Sequence, residues 1–373
     1  MEIPRLYGAA IRNHLGRHRQ MAFVSGPRQV GKTTLCRSLA GPYFNWDNLD
    51  HRRILLKGPG ALAEHLGLAE AREGRLVAVL DEIHKYRGWR NYLKGFFDTY
   101  EDRVRILVTG SARLDLYRRG ADSLVGRYFP FRIHPLSVAE LLHPEPPPGL
   151  VREPRVLDEP RFKALWNHGG FPEPYAKRDP AFTREWQSLR KTLLFREDLR
   201  ALTRITELGQ IEVLAEILAE RSGGALVYSH LASEVGVSLD SVRTWVGALT
   251  RLHHGFLIRP WSRRVTRSLR KEPKWYLRDW AGIADEGRRA ETFAACHLLK
   301  AVEGWTDLGF GDFALHYLRD KEGREVDFLV TRGGRPWFLV EVKKSDRARS
   351  PALAHFQKAT GAPHAFQMVL DMP

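Results

Sequence analysis

The sequence predicts an α/β protein that opens on a parallel sheet, passes through a helical segment and closes on a second, smaller α/β region. Short apolar runs at Met21–Val24, Tyr43–Trp46, Leu76–Leu80 and Val104–Val108 are separated by helical lengths. Such runs read as buried strands joined by helical crossovers. The pattern stops at His143-Pro-Glu-Pro-Pro-Pro-Gly149, with Pro154 and Pro160 beyond it, because proline continues neither a helix interior nor a central strand. After this break the spacing becomes helical, and strand-like runs return only towards the C-terminus.

A chain of 373 residues exceeds one comfortable hydrophobic core, so several domains are expected. With 43% hydrophobic and 28% charged residues it has the composition of a globular protein rather than a disordered one. The two cysteines, Cys36 and Cys296, stand far apart and outside any C-x-x-C pair, which excludes a cysteine zinc site and a disulfide framework. No apolar run approaches the roughly 18 residues of a spanning helix, and the N-terminus lacks the apolar core of a signal peptide. A cytoplasmic protein without a membrane partner is therefore expected. The net charge of +15 attracts polyanions, of which nucleic acid is the commonest in that compartment. Arginine supplies 45 of the 59 basic residues, and genome composition or growth temperature produces the same bias.

The first strand runs into Gly26-Pro-Arg-Gln-Val-Gly31-Lys32-Thr33, a G-x-x-x-x-G-K-[ST] loop placed between a strand and a helix beginning near Lys32, as phosphate binding requires. Glycines let successive backbone N–H groups curl around the β-phosphate of ATP. Lys32 neutralises β/γ charge, the Thr33 hydroxyl is a hard ligand for Mg2+, and Thr34 follows in the same turn. The third run ends in Asp81-Glu82, so both carboxylates emerge at the carboxyl edge of the sheet. There Asp81 holds Mg2+ through water and Glu82 orients the attacking water. The fourth run leads to Gly110-Ser111, where Ser111 either senses the γ-phosphate or forms an ordinary serine turn. Arg127, after Gly126, is the candidate arginine finger towards a neighbouring subunit, against the alternative of a surface ion pair.

Ile3-Pro4-Arg5, the loop Gly26–Thr33, Leu80-Asp81-Glu82-Ile83-His84, Thr109-Gly110-Ser111, Gly126-Arg127 and Pro135-Leu136-Ser137 together resemble the AAA-type ATP-binding proteins of bacteria and archaea that carry a DUF4143 tail. The resemblance covers essentially the full chain. It implies an AAA+ ATPase module with an associated lid, and a C-terminal region similar to restriction-type PD-(D/E)xK nucleases. The domains expected are an ATPase core at 1–142, a linker and helical lid at 143–208, a winged helix-turn-helix at 209–285 and a nuclease-like α/β domain at 286–373.

In the third of these, helices are expected at Gly209–Arg221, Ser229–Val235 and Leu239–His253, with Ser229 and Ser238 as caps and Gly236 in the turn. Leu231, Val235, Val237, Val242 and Val246 supply the shared core, Trp245 is read as core, and Arg243 is the candidate facing a DNA groove. The next segment carries Arg251, Arg259, Arg263, Arg264, Arg267, Arg270, Lys271 and Lys274 against the single acid Glu272, as a phosphate-contacting wing would. The alternative use of such a module is as a spacer or protein-contact element.

Near the C-terminus, Glu291 falls on a helix, Asp327 leads a strand, and Glu341-Val-Lys343 lies on the next strand. Period-two geometry places Glu341 and Lys343 on one face. In this D…E-x-K pattern Asp327 and Glu341 bind Mg2+ or Mn2+, Lys343 orients water, and Glu291 completes the shell. Glu325 is assigned to the opposite strand face and is not expected as a ligand. The leading expectation is an Mg2+-dependent ATPase that remodels or translocates duplex or branched DNA, with metal-dependent cleavage as a conditional addition. It assembles as a homo-oligomer, a hexamer being one form. The alternatives are an ATP-switched winged-helix regulator without nuclease activity and an ATP-dependent protein remodeller.

Overall fold

The computed structural model describes residues 3–39, 41–69, 76–110, 124–199, 207–262, 272–346 and 348–371. Ser111, Arg263, Arg264, Arg267, Arg270 and Lys271 lie outside them. The chain forms two compact units, Met1–Leu157 and Asp158–Pro373.

The first unit is a parallel five-stranded sheet. Its strands are β1 (Met21–Ser25), β2 (Tyr43–Asn45), β3 (Leu76–Asp81), β4 (Val104–Thr109) and β5 (Tyr128–Arg132), in the spatial order β2-β3-β4-β1-β5. Every residue of β1 is buried, which is why its sequence lacks polar alternation. Met21 and Phe23 of β1, Leu80 of β3 and Ile106 of β4 share a core with Leu93 and Phe96 of the helix Trp89–Tyr100. Each such fully buried side chain contributes about 1.5–3 kcal/mol. Sequence reading missed β5 because Pro130 interrupts it. Proline is tolerated there because β5 pairs only with β1, at the sheet's edge.

Because β4 is inserted between β1 and β3, the ends of three strands meet at one carboxyl edge: the phosphate-type loop after β1, Asp81 and Glu82 after β3, and Thr109 between them. Thr109 is in register with both Val24 and Asp81. Ligands of open α/β sheets bind in the crevice outside the carboxyl ends of the strands.

In the second unit, helices Glu159–His168, Pro172–Lys177 and Pro180–Leu193 precede the group Leu208–Glu220, Tyr228–Val235 and Leu239–Arg251. Gly236 ends the middle helix of that group at φ 73°, a left-handed turn that glycine makes without a Cβ penalty. Ser238 caps the next helix by accepting from Ser241 N–H at 3.0 Å. Ser229 is not a cap: the helix starts one residue earlier, and Val227 occupies the capping position without a side-chain bond.

The strands β6 (Gly255–Pro260), β7 (Lys274–Leu277), β8 (Phe313–Arg319), β9 (Glu325–Arg332), β10 (Arg335–Lys343) and β11 (His364–Val369) form one six-stranded sheet, ordered β11-β10-β9-β8-β6-β7. Strands of the segment expected to be a wing thus continue the C-terminal sheet, through the parallel pairing of β6 with β8. Adjacent residues of β7 serve two cores, as alternation along a strand demands. Trp275 packs among the helices with Leu214, Leu231 and Val246, whereas Tyr276 packs with Ala294, Tyr317 and Phe328.

Candidate nucleotide site and a buried carboxylate cluster

The loop leaving β1 turns at Gly26, whose φ is 147° and whose absent Cβ would stand 2.2 Å from the Ile133 carbonyl oxygen. Only glycine fits so close a backbone approach. Gln29 and Gly31 also take positive φ, 61° and 93°, and the helix Lys32–Leu39 follows at once. Lys32 is 8% exposed. Its ammonium donates to the carbonyls of Gly26 at 2.9 Å and Pro27 at 2.7 Å, so it closes over the loop it belongs to. Burial draws its pKa down, against the opposing pull of Glu82 and Asp81.

Thr33 Oγ1 donates to Asp81 Oδ2 at 3.1 Å, placing a hydroxyl and a carboxylate from different elements side by side. The Tyr43 hydroxyl donates to the same oxygen at 2.5 Å. Asp81 is 3% exposed, and burial, reinforced by the neighbouring Glu82 charge, raises its pKa despite these bonds. Thr34 is exposed at the next helical position. Glu82 adopts φ 57° and donates its N–H to the Thr109 carbonyl at 2.8 Å. Its carboxylate lies 3.4 Å from Lys85 Nζ and 3.7 Å from His84 Nε2, and Lys85 is in turn 2.5 Å from Asp47.

Arg127 stands at the opposite, amino edge of the sheet, where its carbonyl accepts from Met21 N–H at 2.9 Å. A five-residue strand separates it from the loop of its own chain by about 16 Å. Its guanidinium forms a two-point pair with Asp98, at 2.6 and 2.9 Å.

In the second unit, Arg243 is exposed on Leu239–Arg251 and 3.6 Å from Asp240, whereas Trp245 and Val246 are buried as expected of core. Lys274 does not join a solvent-facing basic wing. It is 5% exposed, and its ammonium lies 2.9 Å from Glu291, 2.5 Å from Glu325 and 4.0 Å from Asp327. Burial opposes its charge, but the three carboxylates together hold its pKa well above the usual lysine value. The expectation for Glu325 is corrected here. Positions 325 and 327 are two apart on β9, so they share a face, and both turn towards Lys274.

Glu291 also accepts from the Tyr276 hydroxyl at 2.6 Å, while Asp327 accepts from Val342 N–H at 2.8 Å. Glu341 and Lys343 share a strand face as expected and pair at 2.8 Å. The second oxygen of Glu341 is buried without a hydrogen-bond partner among the described residues. Burial, with the charges of Glu291 and Glu341, pushes the Asp327 carboxyl up to about 7. No three His, Cys, Asp or Glu side chains among the described residues converge to hold a metal ion. Where Glu291 was expected to complete a metal shell, it is engaged by Lys274 and Tyr276.

A family model described as an AAA domain matches residues 18–142, the span holding the loop, Asp81, Glu82 and Arg127. The chain carries an AAA domain. A second model, the domain of unknown function DUF4143, matches 286–371, and between them the domain of unknown function DUF8612 matches 159–284. Uncharacterized protein Rv2008c of Mycobacterium tuberculosis (strain ATCC 25618 / H37Rv) and Uncharacterized protein Mb2031c of Mycobacterium bovis (strain ATCC BAA-935 / AF2122/97) are each 24% identical over 368 residues, covering 94% of this chain and 78% of their own length. Among solved structures, PCH-2 of C. elegans is 20% identical with a TM-score of 0.25, over 35% of this chain and 40% of that one, so less than half of PCH-2 is matched. A DNA polymerase III gamma subunit-related protein of Thermotoga maritima is 12% identical with a TM-score of 0.27, over 66% and 84%. The parallel sheet order β2-β3-β4-β1-β5 and the AAA match together make the first unit an α/β domain.

Tyr43 of the AAA domain and Tyr276 of the second unit were not singled out as site residues, and Lys274 was assigned to the basic wing instead of the carboxylate cluster. Tyr43 reads as an ordinary strand aromatic, and nothing local marks its reach to Asp81. A signal did exist for the other two. In Lys274-Trp-Tyr-Leu, positions 274 and 276 share a strand face, pairing a cation with a phenol in an otherwise apolar strand.

Proposed function

We propose that the AAA domain binds ATP with Mg2+ and hydrolyses it, and that the chain uses this turnover to act on DNA. The observation carrying the reading is the convergence of Lys32, Thr33, Asp81 and Glu82 on one carboxyl edge, with Thr33 Oγ1 and Asp81 Oδ2 already 3.1 Å apart. The Thr33 hydroxyl and, through water, the Asp81 carboxylate would hold Mg2+, which when bound offsets phosphate charge. A buried carboxylate whose proton affinity is raised by desolvation fits a cation there. Lys32 releases the Gly26 and Pro27 carbonyls and turns to the β/γ-phosphates. Glu82, freed from Lys85, orients water and accepts its proton. Ser111 senses the γ-phosphate, and Arg127 leaves Asp98 to reach the nucleotide of a neighbouring copy in a homo-oligomer, such as a hexamer.

DNA, duplex or branched, is the partner proposed from the +15 charge, the exposed Arg243 and the basic residues Arg263, Arg264 and Arg267. The three helices with β6 and β7 act as its winged-helix reader, in the cytoplasm. Cleavage dependent on Mg2+ or Mn2+ at Asp327 and Glu341, with Lys343 beside them, requires Asp327 to exchange its contact with Lys274 for the metal. That contact favours a second reading, an ATP-switched DNA-binding regulator without nuclease activity.

The test is ATP hydrolysis by wild type and Lys32→Ala, alone and with single-stranded, duplex and four-way-junction DNA, with the same reactions run on a gel. Lys32-dependent turnover stimulated by DNA supports the motor, and cut DNA adds the nuclease. Turnover indifferent to every DNA, with protection of one specific duplex, supports the regulator. No DNA binding even at low salt, where phosphate contacts are strongest, leaves an ATP-dependent protein remodeller. Wild-type turnover in Lys32→Ala sinks the nucleotide site.

A further inference from the structure

Two of the short motifs quoted above, Ile3-Pro4-Arg5 and Pro135-Leu136-Ser137, have no part in the chemistry just described. In the fold they form one construction. The Arg5 guanidinium donates from Nε to Glu140 Oε1 at 3.0 Å, from Nη1 to the Val30 carbonyl at 2.7 Å and from Nη2 to the His134 carbonyl at 2.6 Å. The Arg5 side chain is 6% exposed and that of Glu140 fully buried. Ser137 caps the helix Val138–Leu142 that presents Glu140, and Glu140 Oε1 also accepts from Leu6 N–H at 2.9 Å. The Tyr7 hydroxyl accepts from His134 N–H at 3.2 Å, fastening the N-terminal arm, residues 3–8 at the start of the helix Leu6–Arg17, to the same segment. Ile133, next to it, is the residue whose carbonyl crowds Gly26.

Val30 is the last variable residue of the phosphate-type loop. In a trans peptide the carbonyl and the following N–H point in opposite directions. A guanidinium gripping the Val30 carbonyl from the arm's side therefore sends the Gly31 N–H to the other side, where a loop of this pattern presents its backbone donors to phosphate. We propose that Arg5 is a positioning residue for nucleotide binding, which fixes the Val30–Gly31 peptide and ties the loop to the N-terminal arm and the 133–140 segment. This rests on the ATP-binding reading above. Three acceptors in three directions suit the planar guanidinium fork, and the ammonium of lysine, a compact point charge, does not span them.

The experiment measures ATP and ADP affinity by calorimetry, and steady-state ATP turnover, for the full chain as wild type, Arg5→Lys and Arg5→Met. Losing one charge-assisted hydrogen bond at the loop predicts Kd and KM raised about tenfold or more, with kcat at saturating ATP little changed. A folded variant whose Kd and KM stay within about twofold of wild type, or whose kcat alone falls, overturns the proposal. Should both variants fail to fold, hydrogen–deuterium exchange on wild type carries the test. A non-hydrolysable ATP analogue is expected to slow exchange in peptides spanning 3–8 and 133–140 together with the loop, and protection confined to the loop overturns the coupling. Wild type that binds no ATP, or Lys32→Ala that binds it as wild type does, fails the nucleotide reading itself rather than Arg5's part in it.

Discussion

Glu82 is the residue where backbone and chemistry bear on each other most directly. A side chain other than glycine at φ 57° carries about 1–2 kcal/mol of strain, offset here by the hydrogen bond from its N–H to Thr109. That bond fixes the backbone of the carboxylate relative to β4, while Lys85, 3.4 Å away, pairs with its head. Glu82→Gln keeps the size and the backbone bond but cannot accept a proton. It is expected to bind ATP as wild type does while turnover falls about 100-fold or more; single-turnover hydrolysis beside an affinity measurement checks this, and undiminished turnover removes Glu82 from the chemistry. At this scale legibility followed sequence distance. Lys32, Thr33, Asp81 and Glu82 announce themselves because a loop and a strand end are local patterns. Tyr43 on Asp81 and Arg5 on Val30 join residues far apart in the chain, and nothing local foretells such a contact; for Lys274 the strand pattern marks an inward face but not Glu325 as its partner.

The antiparallel pairing of β6 with β7 shows what decides an element. A Cβ on Gly255 would stand 2.2 Å from the Trp275 ring and 2.6 Å from the Tyr276 carbonyl, so strand and indole approach closely only because the side chain is absent. Gly255→Ala forces the ring or the strand to shift and is expected to lower stability by about 1–3 kcal/mol, seen as a lower urea midpoint with an unchanged slope. An unaltered midpoint means the ring relocates freely. The helices at Leu208–Glu220, Tyr228–Val235 and Leu239–Arg251 lie within two residues of where apolar spacing put them, since an amphipathic helix writes its own period into the sequence. Other elements were less legible. Pro130 concealed β5, and the basic run hid the inward turn of Lys274, because an isolated run of charge does not report which of its members a neighbouring helix will cover.

At the scale of the second unit as a whole, burial and two neighbouring carboxylates raise Asp327 from an ordinary 3.8 to about 7. The folded state therefore holds this proton more tightly than the unfolded chain does. The stability this represents is fully present below about pH 4 and is lost progressively as pH rises through 7. Asp327→Asn removes the ionisation, so in a metal chelator its melting temperature is expected to exceed that of wild type by more at pH 8 than at pH 5. An equal difference at both values means that Lys274 already compensates the charge in full. The same cluster sets one cation, Lys274, among three carboxylates, Glu291, Glu325 and Asp327.

By itself the sequence determined the α/β class, the phosphate-type loop and its two acids, the proline break, and the helix–turn–helix spacing, because each is set by neighbours along the chain through backbone geometry and periodic burial. Only the tertiary structure decided that β4 separates β1 from β3, that β6 and β7 extend the C-terminal sheet, and that Lys274 turns inward to Glu291, Glu325 and Asp327. The physical reason is common to all three. Strand order and buried charge pairing depend on which distant surfaces exclude water together, and that is settled when the whole core closes.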